Sequence, residues 1–210
     1  MRVSKAEAAQ NRERIIAVAG KLFRERGFDG IGVADLMKCA GLTHGGFYGH
    51  FASKEDLMAQ ACARALEGSL STMHQLAENS GDNALSAIAT AYLSPAHRDQ
   101  MGEGCVLAAL GAEAARHGSP VRSAFTQGVR SAVDMLVQLL PGRSAQAKRE
   151  LALMTYASMI GALVLARAVD NKELSEDVLR SVLASINHAD TSPQDQTGNG
   201  AGDDRQPTCD

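Results

Sequence analysis

Apolar residues recur at three- and four-residue steps near the start of the chain: Ile15, Ile16, Ala19, Leu22 and Phe23 form one stripe, with Arg12, Arg14, Lys21 and Arg24 among them. This spacing predicts an amphipathic helix, closed by Gly27. After the link GFDGIG, the positions Val33, Leu36, Met37 and Ala40 mark a short second helix ending at Gly41. Thr43 stands where it can cap a third segment, 43–50, in which Phe47 shares a face with Phe51. Ser53 and Asp56 have the spacing of a capping box and open a long amphipathic stretch, 53–78, through Leu57, Ala61, Ala65, Leu66, Leu70 and Met73.

Further helices follow between punctuating residues. DNALSAIATAYLS stops at Pro95, CVLAALGAEAAR stops at Gly118, and the run 119–140 stops at Pro141-Gly142. Residues 144–170 form the longest predicted helix and LSEDVLRSVLASINH the last, about nine in all. From Asp190 to Asp210 there is no Val, Ile, Leu, Met or aromatic residue, so that tail is expected to be disordered. The predicted fold class is all-α.

Composition narrows this picture. A chain of 210 residues can bury a sizeable core without disulfides or a structural metal, and 4% aromatics with no Trp weigh against a β-sandwich or barrel. Cys39, Cys62, Cys105 and Cys209 form no CxxC pair and have no histidine at metal-ligand spacing, so no metal, cofactor or disulfide framework is expected. A reducing cytoplasm fits that cysteine usage. Charges run through the N-terminus, which lacks the apolar core of a signal peptide. The longest uncharged run, residues 151–166, falls short of the ~20 residues that cross a bilayer. It reads as a helix buried on most sides, and no membrane partner is expected.

The formal net charge of −3 argues against a wholly basic nucleic-acid coat, but the average conceals a split. Residues 1–64 carry 10 Lys and Arg against 7 Asp and Glu, a net of +3, which leaves −6 for the remainder. Within the positive part, two short helices around a Gly41-centred turn have the spacing of a helix-turn-helix. An ordinary helical hairpin is the competing reading of that geometry. The segment 43–50 contains Gly45, Gly46 and Gly49, each costing about 1 kcal/mol relative to Ala inside a helix, so it needs tertiary support from Phe47 and Phe51. The positions left to solvent are His44, Tyr48 and His50, hydrogen-bonding groups able to reach bases or phosphates. Lys54 stands in the first turn of the next helix, where a cation opposes the helix dipole unless a phosphate is nearby.

The window RGFDGIGVADLMKCAG, GLTHGGFYGHF and SKEDL resembles the DNA-binding head of the TetR/AcrR family of bacterial transcriptional regulators, over roughly residues 10–60. The resemblance implies a helix-turn-helix DNA-binding domain over 1–52, a helical ligand-binding and dimerisation domain over 53–188, and a tail over 189–210. It implies a homodimer on a palindromic double-stranded DNA operator, acting as a repressor. By position, Thr43 would cap the third segment and touch phosphate, His44 and Gly45 would face base edges, Tyr48 and His50 would contact backbone or nearby bases, and Lys54 would hold a phosphate. The chain departs from the family at Gly32 and Val33, where Ser or Thr is usual, and at Gly49, where a larger side chain is common.

The remainder would then form the dimer and bind a signal. Residues 151–166, with Leu174, Val178, Leu179, Val182, Leu183 and Ile186, suit a four-helix dimer bundle made from the last two helices of each subunit, because a monomer would expose too much of this surface; a monomeric core is the competing reading. A small-molecule inducer would meet residues drawn from Met73, Tyr92, His97, Met101, Phe125 and Tyr156, in a pocket suited to a small, fairly apolar compound. Cys105 follows Gly-Glu-Gly at a helix start, where a helix dipole favours thiolate, and it resembles the sensing cysteine of family members that respond to electrophiles or oxidants. A buried packing thiol is the competing reading. Cys39 and Cys62, inside amphipathic helices, read as packing residues. Glu113 and His117, four apart, read as a solvated pair rather than half a metal site. The chain is accordingly read as a non-enzyme, with a DNA-free helical interaction module as the alternative and a small helical enzyme as a more distant one.

Overall fold

The computed structural model describes residues 4–140 and 144–191, and the described residues form nine α-helices and no strand. The expected tail, beyond the three positions that extend the last helix, lies outside them, as do Cys209 and the Pro141-Gly142 punctuation. Helix α1 spans Lys5–Arg26, and Ser4 caps it in a reciprocal box with Glu7 that the hydrophobic pattern did not disclose. Helix α2 spans Val33–Cys39 and ends in a turn at Gly41, whose φ of 71° lies where an L side chain is strained.

The third segment departs from expectation: His44–Gly49 is a 3-10 helix, not an α-helix. Its bonds run from Gly46 N–H to the Thr43 carbonyl (3.0 Å) and from His50 N–H to the Phe47 carbonyl (2.9 Å). Three glycines in six residues leave too little propensity for a regular turn, and the tighter winding accommodates short pieces. Thr43 occupies the N-cap position, but its side chain makes no capping hydrogen bond, contrary to the expected cap.

Helix α3 runs from Lys54 to Ser80, with Ser53 Oγ accepting from Asp56 N–H at 3.0 Å. The return half of the expected box reaches one residue further back, from Ala52 N–H to Asp56 Oδ2 at 3.0 Å. Next come α4 (Ala84–Tyr92) and α5 (Pro95–Asp99). Here Pro95 opens a helix instead of merely ending one, since a first-turn proline sacrifices no bond. Then follow α6 (Val106–Ala114), α7 (Ser119–Leu139), α8 (Ala145–Ala168) and α9 (Lys172–Thr191).

Two apolar clusters result. The first joins Ile15, Phe23, Phe28, Leu36, Met37, Phe47 and Phe51 to Leu57, Cys62 and Leu66 of α3, and to Leu110 and Phe125 of α6 and α7. The second gathers Met73, Ile88, Leu136, Tyr156, Met159 and Leu179. Helix α3 belongs to both, so a single rigid rod connects the N-terminal head to the far core.

Helix α8 is long and apolar enough to cross a membrane by length and composition alone. It is not buried on most sides, however. Ala152, Tyr156, Met159, Ala162 and Ala166 face the second cluster, whereas Leu153, Met154, Val164 and Leu165 remain exposed. An exposed apolar face on a core helix marks a surface for a partner.

Candidate nucleic-acid interface and sensing cavity

In the 3-10 segment, sequence spacing becomes a two-faced wedge. Phe47 is fully buried and stacks near Phe51 with ring centroids 5.5 Å apart, anchoring the segment. Thr43, His44, Gly45 and Tyr48 are exposed, Tyr48 to 71% although its ring meets Phe47 edge-on, while His50 is half-buried. Thus five of the six candidate DNA-contact positions share one short segment, and the Thr43 hydroxyl makes no capping bond.

Lys54 adds a contact that the sequence did not disclose. Its ammonium donates to the Phe28 carbonyl at 2.6 Å, tying the start of α3 to the link between α1 and α2, and two N–H groups are left over. The other side of this junction is held by Arg12, which lies over the Phe51 ring (5.5 Å) and donates to Gln60 Oε1. Gln60 in turn donates to Asp56 Oδ1 at 2.6 Å. The sequence placed Arg12 only among the apolar positions of the first helix, because a contact spanning 48 residues leaves no local signature.

Helix α6 also grips the head. Glu113 Oε2 accepts from Phe28 N–H at 2.8 Å, and the His117 ring meets the Phe28 ring edge-on at 4.8 Å. Glu113 and His117 are therefore not a solvated pair. Gly27, at φ 78°, makes the first contact possible, since a Cβ there would sit 2.9 Å from a Glu113 carboxylate oxygen. A second carboxylate, Glu55, accepts from Gly118 N–H at 2.7 Å. At the other end of α6, Arg24 donates to the Gly102 carbonyl at 2.6 Å and Lys21 pairs with Glu103 at 3.1 Å.

Between α3, α4 and α5 lies a cavity of about 310 Å3 that brings together Met73, Tyr92, His97, Cys105 and Tyr156. The other two pocket candidates are elsewhere. Met101 sits on an outward-facing turn, 39% exposed, beside a separate cleft with Arg98 and Lys172, because the Arg24 bond to Gly102 fixes that turn from the opposite side. Phe125 is buried in the first cluster, since the N-terminal half of α7 packs toward the head.

Cys105 is the N-cap residue of α6 and is buried. Its backbone N–H donates to His97 Nε2 at 3.0 Å, while His97 Nδ1 lies 2.7 Å from the Tyr92 carbonyl. An accepting Nε2 requires the neutral ring with its proton on Nδ1. Burial holds the His97 pKa below its ordinary 6.5, and nearby Arg167 adds to this against the opposing Tyr92 bond. The folded chain therefore takes up fewer protons at His97 than the unfolded chain as pH falls through 6.5, and stability contributed by neutral His97 is lost in that direction. Melting temperatures measured at pH 7.5 and pH 5.5 should show a smaller acid-induced drop in a His97→Gln chain, whose amide oxygen can accept from Cys105 without titrating. An identical drop in both chains refutes this role.

Among the other described cysteines, Cys62 is buried and its thiol is pushed up to about 12, chiefly by burial, which makes it an inert packing group. Cys39 is exposed, contrary to the packing role expected of it.

The family models for bacterial regulatory proteins of the tetR family and for the tetracyclin repressor-like C-terminal domain match residues 15–61 and 81–182, together well over half of the chain. The chain belongs to the TetR/AcrR family. It is a DNA-binding transcriptional regulator, and regulators of this family bind DNA and ligands as dimers. The HTH-type transcriptional repressor NemR of Escherichia coli is 28% identical over 181 residues, covering 81% of this chain and 91% of that protein. The repressor BepR of Brucella suis is 40% identical over 65 residues, 31% of each chain. Among solved structures, reduced E. coli NemR aligns with a TM-score of 0.73 at 24% identity, covering 86% of this chain and 97% of that one. A TetR-family regulator from Cytophaga hutchinsonii aligns with a TM-score of 0.75 at 21% identity, covering 92% and 100%. At these identities the structures establish a shared TetR fold.

Proposed function

We propose that this TetR-family regulator is a cytoplasmic homodimeric repressor that binds a palindromic operator through Thr43, His44, Gly45, Tyr48, His50 and Lys54. The observation carrying this reading is the wedge at 43–50, whose exposed polar positions are braced by fully buried Phe47. His44 and Gly45 meet base edges, Tyr48 and His50 the backbone or neighbouring bases, and Thr43 and Lys54 phosphates. Lys54 acts with its spare N–H groups while its bond to Phe28 keeps the head in register. In the division of labour, residues 1–52 read DNA and 53–188 bind the signal and the second copy.

Release follows when a small apolar or electrophilic compound enters the cavity or when Cys105 is modified. Helix α3 carries the change, because Met73 lines the cavity while Lys54, roughly 28 Å away along the rod, stands at the head. The bond of Glu113 to Phe28 gives α6 a second route, and that of Glu55 to Gly118 ties the start of α3 to the cap of α7. Two recognition segments must stand about 34 Å apart to enter successive major grooves, so a shift of several Å prevents simultaneous docking.

A gel shift with the DNA flanking its own gene tests the reading. Saturable, sequence-specific retardation that weakens steeply with salt is expected, and salt-insensitive or absent binding refutes it. Lys54→Ala should weaken binding to every sequence about equally, whereas His44→Ala should relax base preference at a cost of about 1–3 kcal/mol on the preferred site. Indistinguishable sequence profiles for the two variants would overturn the assignment of contacts.

A further inference from the structure

We propose that Tyr92 supplies the hydrogen bond that an uncharged α,β-unsaturated carbonyl compound needs as it adds to Cys105. This rests on the reading of Cys105 as a sensing thiol. The observation behind it is that the buried Tyr92 hydroxyl makes no hydrogen bond to any protein oxygen or nitrogen and interacts instead with the Cys105 side chain, with which it lines one cavity. A buried hydroxyl with only a weak sulfur acceptor beside it is costly, and a role in a reaction is one physical reason for keeping it there.

Tyr92 is suited to donate. Burial raises its pKa above the ordinary value of 10, and the neighbouring Cys105 raises it further, so the phenol keeps its proton at any physiological pH. Its ring is fixed edge-on against His97, with centroids 4.6 Å apart, and its own carbonyl lies 2.7 Å from His97 Nδ1. Since His97 Nε2 also accepts the Cys105 N–H, one imidazole sets both the donor and the thiol.

The remaining walls select the compound. Leu66, Met73, Leu76 and Ile88 present apolar surface, and the carboxylate at the rim, Glu103, is paired with Lys21. A volume of about 310 Å3 stands at the small end of the ~300–1,000 Å3 common for ligand pockets. A small neutral organic molecule fits these walls. In the addition, the Cys105 sulfur forms a bond to the β-carbon and the alkene π pair moves toward the carbonyl oxygen, making an enolate that accepts the Tyr92 O–H. The proton lost from the thiol ends on the α-carbon. No oxidant is consumed, and Tyr92 emerges unchanged.

A donor placed where negative charge develops accelerates only reactions that develop it. The test compares two probes, cyclohex-2-enone and methyl methanethiosulfonate, the second of which reacts at sulfur and builds no charge on a carbonyl. Rates of Cys105 modification are read by intact-protein and peptide mass in the unaltered and Tyr92→Phe chains. Enone addition should slow about tenfold to a hundredfold in Tyr92→Phe, while the thiosulfonate rate changes less than about twofold. Equal slowing with both probes would mean that Tyr92 only packs against the cysteine, and an unchanged enone rate would mean that its hydroxyl is not used. Either result overturns the proposal. A separate arm follows DNA release: if cyclohexenone frees operator from a Cys105→Ser chain as readily as from the unaltered one, the sensing reading fails, while the Tyr92 rate comparison still stands on its own.

Discussion

A Phe47→Ala chain should lose about 3–5 kcal/mol of stability and its operator binding with it. Phe47 is fully buried, packs against Phe51 and Tyr48, and is the buried side chain of a 3-10 segment containing three glycines. With little intrinsic propensity, the segment depends on that ring for its position. The loss is a large part of the ~5–15 kcal/mol that holds a typical domain. For a chain of this size it corresponds to a fall in melting temperature of about 6–20 °C. Hydrogen exchange should accelerate first over 27–52, because Phe47 belongs to the head-side cluster and not to the one around Met159. Phe47→Leu, which retains most of the volume, should recover much of the stability. A Phe47→Ala chain with unchanged melting and an unchanged gel shift would show that the wedge is held by something else.

The second large effect concerns the exposed face of α8. Met154 is 66% exposed and Leu165 is 56% exposed, and they lie three turns apart on a helix whose other face is buried. In the proposed dimer these side chains meet the second copy. Met154→Asp with Leu165→Asp would place four carboxylates in that interface, each lacking a partner and stripped of water. Sedimentation should then report a monomer with unaltered helical content. Operator affinity should fall by about a hundredfold to ten-thousandfold, because one head binds without the effective concentration that the other provides. A double variant that sediments as a dimer and binds operator normally would move the interface away from α8.

The two predictions bear on different kinds of information. The helical stripes, the Gly41 turn, Phe47 and Phe51 on one face, and the exposed His44 and Tyr48 were legible in the chain, because helix periodicity and turn chemistry act over a few residues. Positive charge in the head was equally legible once the total was divided by segment. The winding of 43–50 was not, since propensity says that three glycines disfavour an α-helix without saying what replaces it. Thr43 illustrates the same limit: its position at the cap was readable, but the missing side-chain bond was not.

In the cavity, residue type suggested seven candidates and only five converge, because the choice between Tyr92 and Phe125 depends on which way α4 and α7 turn when packed. By itself, the sequence determined an all-helical chain, a helix-turn-helix head with a basic excess, and a thiol at the start of a helix. Tertiary structure alone decided that Lys54 reaches Phe28, that Glu113 joins α6 to the head across 85 residues, and that a buried phenol with no oxygen or nitrogen partner lies beside Cys105. The physical reason is range. Hydrogen bonds and burial between distant segments depend on how whole helices pack, and no local pattern of side chains encodes that geometry.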